Sequence, residues 1–174
     1  ETNLNRQIIS TTKNIGTLKI DAAIIRTKEI SSDIEINGYN MFVSSENIEQ
    51  IDFTKNAAVI DCVDTVDAKM AIIKKCHDLN IKVISSMGTG NKLDPTKLYI
   101  TDITKTDICP LARVIRKKCR DMGIKHLTVL ASHEEPMHTG EVVGSMIFVP
   151  ASAGLLIASY IVRDILGENN AWDR

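Results

Sequence analysis

The 174-residue chain has four cysteines, Cys62, Cys76, Cys109 and Cys119, and no C-x-x-C pair among them. That argues against a thiolate zinc site and a disulfide framework alike, and leaves reduced thiols as the plain expectation. A long apolar run is also missing. The best stretch, residues 151–162, falls short of the ~20 residues that a bilayer span needs, so no membrane partner is expected. Neither sign of charge is in excess: 21 Lys and Arg face 22 Asp and Glu, for a formal net charge of −1. The total therefore gives no sign of a surface built to coat nucleic acid. The chain opens on Glu1-Thr2-Asn3, without a basic apolar leader or an initiator Met, and a cytoplasmic location without a secretion signal is expected. Internal repeats and low-complexity tracts are absent too. What is present is a 44% hydrophobic chain, enough for one cored domain over residues 1–174.

Residues 17–31 carry Leu18, Ala22, Ile25 and Ile30 at helical spacing behind Thr17, a candidate N-cap. Residues 33–42 alternate Ile34, Ile36 and Met41 around Gly38, which predicts a short strand. Residues 44–51 predict a brief helix capped by Ser44 or Ser45. The run AAVIDC at 57–62 predicts a strand buried on both faces. An amphipathic helix follows at 66–79, with Ala68, Ile72 and Cys76 at four-residue steps. Strands at 81–86 and 97–102 flank a glycine-containing turn, and a helix starts at Cys109-Pro110 and stops at Gly123. A strand at 127–131, a polar and mobile loop at 132–144, a strand at 145–149 and a helix at 151–166 closed by Gly167 complete the chain. Strand–helix alternation implies right-handed crossovers and a parallel sheet, with antiparallel strands added at one edge in the second half. The fold class is α/β, a mixed sheet with helices on both faces.

The most specific stretch is SSMGTGNKLDPTKLYITDITKTDICPLAR, residues 85–113. A strand ending in glycines and small polar groups puts backbone N–H groups and hydroxyls at the carboxyl edge of a sheet, where open α/β folds bind ligands. Gly88 and Gly90 permit close approach of backbone to a ligand, and Asn91 and Lys92 could hold a carboxylate or phosphate. An ordinary turn, with Asn91 left-handed and Asp94-Pro95 opening the next turn, accounts for the same residues. This stretch closely resembles the tRNA threonylcarbamoyladenosine dehydratases, which are ThiF-like adenylating enzymes related to ubiquitin-activating and sulfur-carrier enzymes.

The resemblance implies a Rossmann-like sheet, ATP and Mg as cofactors, and tRNA as substrate. Asn3-Leu4-Asn5-Arg6-Gln7 resembles the family segment whose Asn and Arg touch the phosphates, which carries over to Asn3 and Arg6, with Gln7 beside them. Lys19 in Gly16-Thr17-Leu18-Lys19 matches the lysine of the family's G-x-P-K segment, with Leu18 standing where the family has proline. Asp64, followed by Thr65, matches the strand-end aspartate that binds Mg. Read alone, Arg6 and Lys19 are surface charges and Asp64 is an N-cap for the next helix. Lys105 in DITKT recurs in the family pattern and joins Asn91 and Lys92 as a substrate candidate. Cys109, at a helix N-terminus that lowers a thiol pKa, is the best nucleophile of the four, but the dehydratase reaction needs none and a capping role is the stronger reading. His133 and His138 are too isolated for a metal site.

The activity so implied is ATP-dependent dehydration of threonylcarbamoyladenosine in tRNA through an adenylated carboxylate. The alternatives are adenylation of a ubiquitin-like sulfur carrier and a nucleotide-free scaffold. The missing double C-x-x-C and the NKLDP turn speak against the carrier reading. Family members are usually homodimers, and a sulfur-transfer partner protein is a further candidate. The family begins with a strand, a G-x-G-G-x-G loop, a helix and a second strand, none of which is in this sequence. The chain is therefore expected to be a truncated piece, inactive alone. Its strands at 33–42 and 57–62 would be separated by two missing strand spacings of ~4.8 Å.

Overall fold

The protein is described by a computed structural model over residues 3–137 and 143–168. Four strands form one mixed sheet: β1 (Val59–Asp61), β2 (Val83–Ser86), β3 (Leu98–Asp102) and β4 (Thr128–Ser132). Their spatial order is β1-β2-β4-β3, with the first three parallel and β3 antiparallel to β4. The helices are α1 (Lys19–Ile30), α2 (Val66–Asp78), α3 (Pro110–Asp121) and α4 (Phe148–Ile165).

Side chains alternate across a strand, so β4 sends Val129 to one face and Leu130 to the other. Val129 packs with Met70 and Ile73 of α2 and with Ala112, Ile115 and Cys119 of α3. Leu130 and Ile84 pack with Val149, Ala153 and Ile157 of α4. Helices thus cover both faces, the expected α/β architecture. The apolar stripe of α3 at i, i+3 and i+7 leaves its basic residues on the outside. Gly123, at φ +77°, ends that helix in the left-handed conformation anticipated for it.

Several elements differ from expectation. Residues 33–42 form no strand. Strand backbone needs a neighbour to satisfy its N–H and C=O groups, and among the described residues β1 pairs with β2 alone. The 33–42 segment lies against α1 instead: a Cβ on Gly38 would meet Ile20 Cδ1 at 2.6 Å, and the Lys28 amine donates to the Ile34 carbonyl at 2.5 Å. Because β1 is an edge strand, Ile60 is 47% exposed, which corrects the reading of 57–62 as buried on both faces. Residues 145–149 form no strand either, since α4 already begins at Phe148. The helix expected at 44–51 is a single 3-10 turn, Ile48–Gln50. The N-cap position of the first helix is Leu18 rather than Thr17, and no side chain caps it.

At 18 residues, α4 is also longer than its contiguous apolar run suggested, and by length and composition it could cross a membrane. Its Val149, Ala153 and Ile157 are buried against the sheet. Leu155, Val162 and Ile165, at 69%, 55% and 61% exposure, form a second apolar face.

Candidate functional site

Beyond the carboxyl ends of β1 and β2 lies a cleft of about 520 Å³. Three separate segments bring charge to it: Asn3, Arg6 and Gln7 from the amino end, Lys19 from the start of α1, and Asp64 from the β1–α2 connection. Gly16 turns the chain at φ +88°, a value that favours glycine, and so delivers Lys19 at the first position of α1. Gly88, Thr89 and Gly90 form the opposite wall. Neither the Lys19 amine nor the Asp64 carboxylate has a hydrogen-bond or ion-pair partner among the described residues. The N-terminus of α2 receives no side-chain cap, so the capping role available to Asp64 is not used. Two opposite charges without protein partners on one concave surface suit a ligand that carries both anionic groups and a cation.

Under this cleft sits a fully buried ion pair that has no local sequence signal. The Lys69 amine, from α2, donates to Asp61 Oδ2 at 2.8 Å, to Ser85 Oγ at 3.2 Å and to the Ser86 carbonyl at 3.0 Å. The Ser85 hydroxyl donates to the same Asp61 oxygen at 2.5 Å, and the Val63 N–H donates to its other oxygen at 3.1 Å. The network ties β1, β2 and α2 together at the cleft floor. It also divides the labour between two nearby acids: Asp61 is committed to the protein, while Asp64 faces the cleft.

The 87–95 turn departs from its expected role. Asn91 and Lys92 do not line the cleft. Asn91 adopts φ +57°, accepts from the Gly144 N–H at 2.6 Å through its side chain, and receives the Met137 N–H on its carbonyl at 2.9 Å. The Lys92 side chain is buried and donates to the Glu134 carbonyl. The Glu134 carboxylate in turn accepts the N–H groups of Leu93 and Asp94, at 2.8 and 2.9 Å. Asn91 and Lys92 are therefore stitches holding the turn to the segment after β4, in which Glu134 is buried and the His133 and Met137 N–H groups donate to the Lys97 and Asn91 carbonyls. Gly90 makes a close approach, but to protein: a Cβ there would stand 2.3 Å from Val143 Cγ1. Glu134→Ala strands two backbone donors and should cost about 1–3 kcal/mol in urea unfolding. A change below a few tenths of a kcal/mol would show that the clamp carries no weight. Lys105 is exposed in a 3-10 turn after β3, and Thr65 stands at the N-cap position of α2; neither lines the cleft.

Cys109 occupies the N-cap position before Pro110, but its thiol makes no capping bond and is packed in the core, 3.5 Å from where a Cβ on Gly88 would lie. Burial pushes the Cys76 and Cys119 thiols up to about 11. Cys62 reaches both solvent and the cleft, although desolvation, and then the Asp61 carboxylate, raise its pKa as well. Its alkylation by iodoacetamide should therefore be slow at neutral pH and rise about tenfold per pH unit through the alkaline range. A rate independent of pH between 7 and 9, followed by mass spectrometry, would contradict this. His133 stacks on Tyr99 with ring centroids 3.8 Å apart, His126 stands beside Asp102, and His138 lies outside the described residues.

The chain is similar to several known proteins. It is 35% identical to the tRNA threonylcarbamoyladenosine dehydratase of Bacillus subtilis, over 95% of this chain and 72% of that protein. It is 32% identical to the Escherichia coli enzyme of the same name, over 71% of this chain and 46% of that protein. The solved structure of the E. coli dehydratase in complex with ATP matches 98% of this chain and 73% of that one, with a TM-score of 0.86 at 26% identity. The sequence profile of the ThiF family spans residues 1–172, and the chain belongs to that family.

Proposed function

We propose that this chain is the adenylating domain of an ATP-dependent dehydratase that closes N6-threonylcarbamoyladenosine in tRNA into its cyclic form. The observation that carries the reading is the convergence of Asn3, Arg6, Gln7, Lys19 and Asp64, from three separated segments, on one cleft. The substrate carboxylate attacks the α-phosphate of ATP, the bond to pyrophosphate breaks, and an acyl adenylate forms. A nitrogen of the same side chain then attacks the acyl carbon, AMP departs, and the nitrogen's proton passes to solvent. Charge moves onto pyrophosphate in the first step, and Arg6 and Lys19 are the cations that receive it. Asn3 and Gln7 supply neutral donors beside them.

A Mg ion, when bound, neutralises phosphate oxygens. Asp64 would hold it, since Mg sites in phosphoryl chemistry use one or two carboxylates and complete their shell with phosphates and water. The relatives' names support tRNA as the substrate; a cytoplasmic setting belongs to the same reading. A second copy of the chain packs on the outward face of α4 in the same reading, where Leu155, Val162 and Ile165 are exposed.

Incubation of the protein carrying this chain with ATP and tRNA bearing threonylcarbamoyladenosine should yield a nucleoside lighter by one water, with AMP and pyrophosphate in equal amounts. Mass analysis of the digested tRNA reads this directly. AMP transfer onto a carrier-protein carboxylate with release of pyrophosphate, the tRNA nucleoside being unchanged, would favour the carrier-activating reading instead.

A further inference from the structure

The bulk charge of −1 conceals a strongly uneven distribution. α3 carries Arg113, Arg116, Lys117, Lys118 and Arg120 against a single acid, Asp121, within its twelve residues. On every other helix at least one cation is neutralised by an acid: Arg26 by Glu29 on α1, Lys74 by Asp78 and Lys75 by Glu49 on α2, and Arg163 by Glu168 on α4. None of the α3 cations makes an ion pair among the described residues, and neither do Lys105 and Lys125. Arg116 alone is tied down, donating to the carbonyls of Ile103 and Thr106.

Arg113, Lys117 and Arg120 recur at i, i+4 and i+7 on the solvent side, opposite the buried Ala112, Ile115 and Cys119. Like charges four residues apart cost helix stability. The macrodipole offsets this for Lys118 and Arg120 in the last turn, but not for Arg113 near the positive end. Position adds a second point. α3 starts at the cleft, where Leu111 forms part of the wall, and runs about 18 Å away from it. It ends where Arg116, Arg120 and Lys125 rim a cavity of about 470 Å³ floored by Ile103, Cys119 and Ile124.

We propose that the outward face of α3, with Arg113, Lys117 and Arg120 continued by Lys125, is the track along which the sugar–phosphate backbone of the RNA lies while its target nucleoside occupies the cleft. The inference rests on the tRNA reading above and adds the surface that reading lacks. Cations without partners, spaced along one straight face, are what a polyanion of regular charge spacing requires, and RNA helices are held chiefly through phosphate and ribose contacts.

The test measures binding of a fluorescein-labelled tRNA by anisotropy between 50 and 200 mM salt, conditions in which phosphate contacts dominate affinity. The triple variant Arg113→Ala, Lys117→Ala, Arg120→Ala should weaken binding about 10–100-fold and reduce the slope of log K against log salt by about 2–3. ATP affinity should stay unchanged and Tm should not fall, because all three residues are exposed, none lines the cleft, and their removal relieves like-charge repulsion along the helix. A control triple of equal charge, Arg26→Ala, Lys74→Ala, Lys82→Ala, should leave the slope in place. Equal losses in both triples would reduce the effect to net charge and overturn the track. Turnover of tRNA by the unaltered protein, with a slope indifferent to the α3 triple, would overturn it while leaving the dehydratase reading intact. An unaltered protein that neither binds nor converts tRNA, or that binds polyglutamate in its place, would remove both.

Discussion

Asp64→Ala should lower the rate of adenylate formation by about 10²–10³-fold while leaving the fold intact. The size follows from what one preorganised electrostatic contact contributes where charge develops in a transition state. Two observations make the expectation sharp. Asp64 has no protein partner among the described residues, and it does not cap α2, so its removal breaks no bond that holds the structure together. Stability should change by no more than about 0.5 kcal/mol, the usual range for an exposed side chain away from special features. Exchange of labelled pyrophosphate into ATP reads the chemical step, and a thermal melt reads the fold. Excess Mg should rescue Asp64→Asn in part, since the amide oxygen can still bind a cation weakly, and should not rescue Asp64→Ala. Arg6→Ala should produce a loss of similar size that Mg does not touch. A variant Asp64→Ala with near-normal exchange would remove the acid from the chemistry. A fall in Tm matching the fall in rate would make it a structural residue.

Asp64 also illustrates what can be read from a linear chain. Its place after a run of small branched apolar residues marks a strand end, where parallel sheets bind ligands. A lone acid there is a weak signal that reads equally as a helix cap, and its assignment to the site rests on the family resemblance. The β1–α2–β2 order, the start of α3 at Pro110 and the left-handed stops at Gly123 and Gly167 follow from local signals with local physical causes: periodicity, ring geometry and freedom at positive φ. Lys92 shows the opposite. A lysine beside glycines resembles a phosphate ligand, yet its partner is the carbonyl of Glu134, forty-two residues away. Nothing local specifies that bond, which exists because β3 and β4 pair antiparallel and bring the two turns together. Ile36 and Ile34 alternate as a strand would, but alternation describes which way side chains point and says nothing about whether a neighbouring strand is there to pair with. Glu134 was hidden for the same reason as Lys92: a polar residue in a polar loop is ordinarily solvated, and here two backbone N–H groups claim its carboxylate.

The largest stability effect should come from the buried pair beneath the cleft. Lys69→Met keeps the volume of the side chain and removes its charge, leaving the Asp61 carboxylate enclosed with only the Ser85 hydroxyl and the Val63 N–H as donors. Breaking a buried ion pair on one side costs about 3–5 kcal/mol, because the remaining charge has lost its compensation. Against a total stability of about 5–15 kcal/mol, this brings the protein close to unfolding. The cost arises from desolvation and not from the strength of the bond, and that distinction is itself testable. Replacing both partners, Asp61→Val with Lys69→Met, removes the stranded charge and should recover most of the loss, even though no ion pair is restored. Urea unfolding of the three variants, with equal m-values as the sign that the same structure is being unfolded, separates the two causes. If the double variant is as unstable as Lys69→Met, the attraction itself was holding β1 to α2. If Lys69→Met falls within about 1 kcal/mol of the parent, water reaches the Asp61 carboxylate and the cleft floor is wetter than its zero exposure implies.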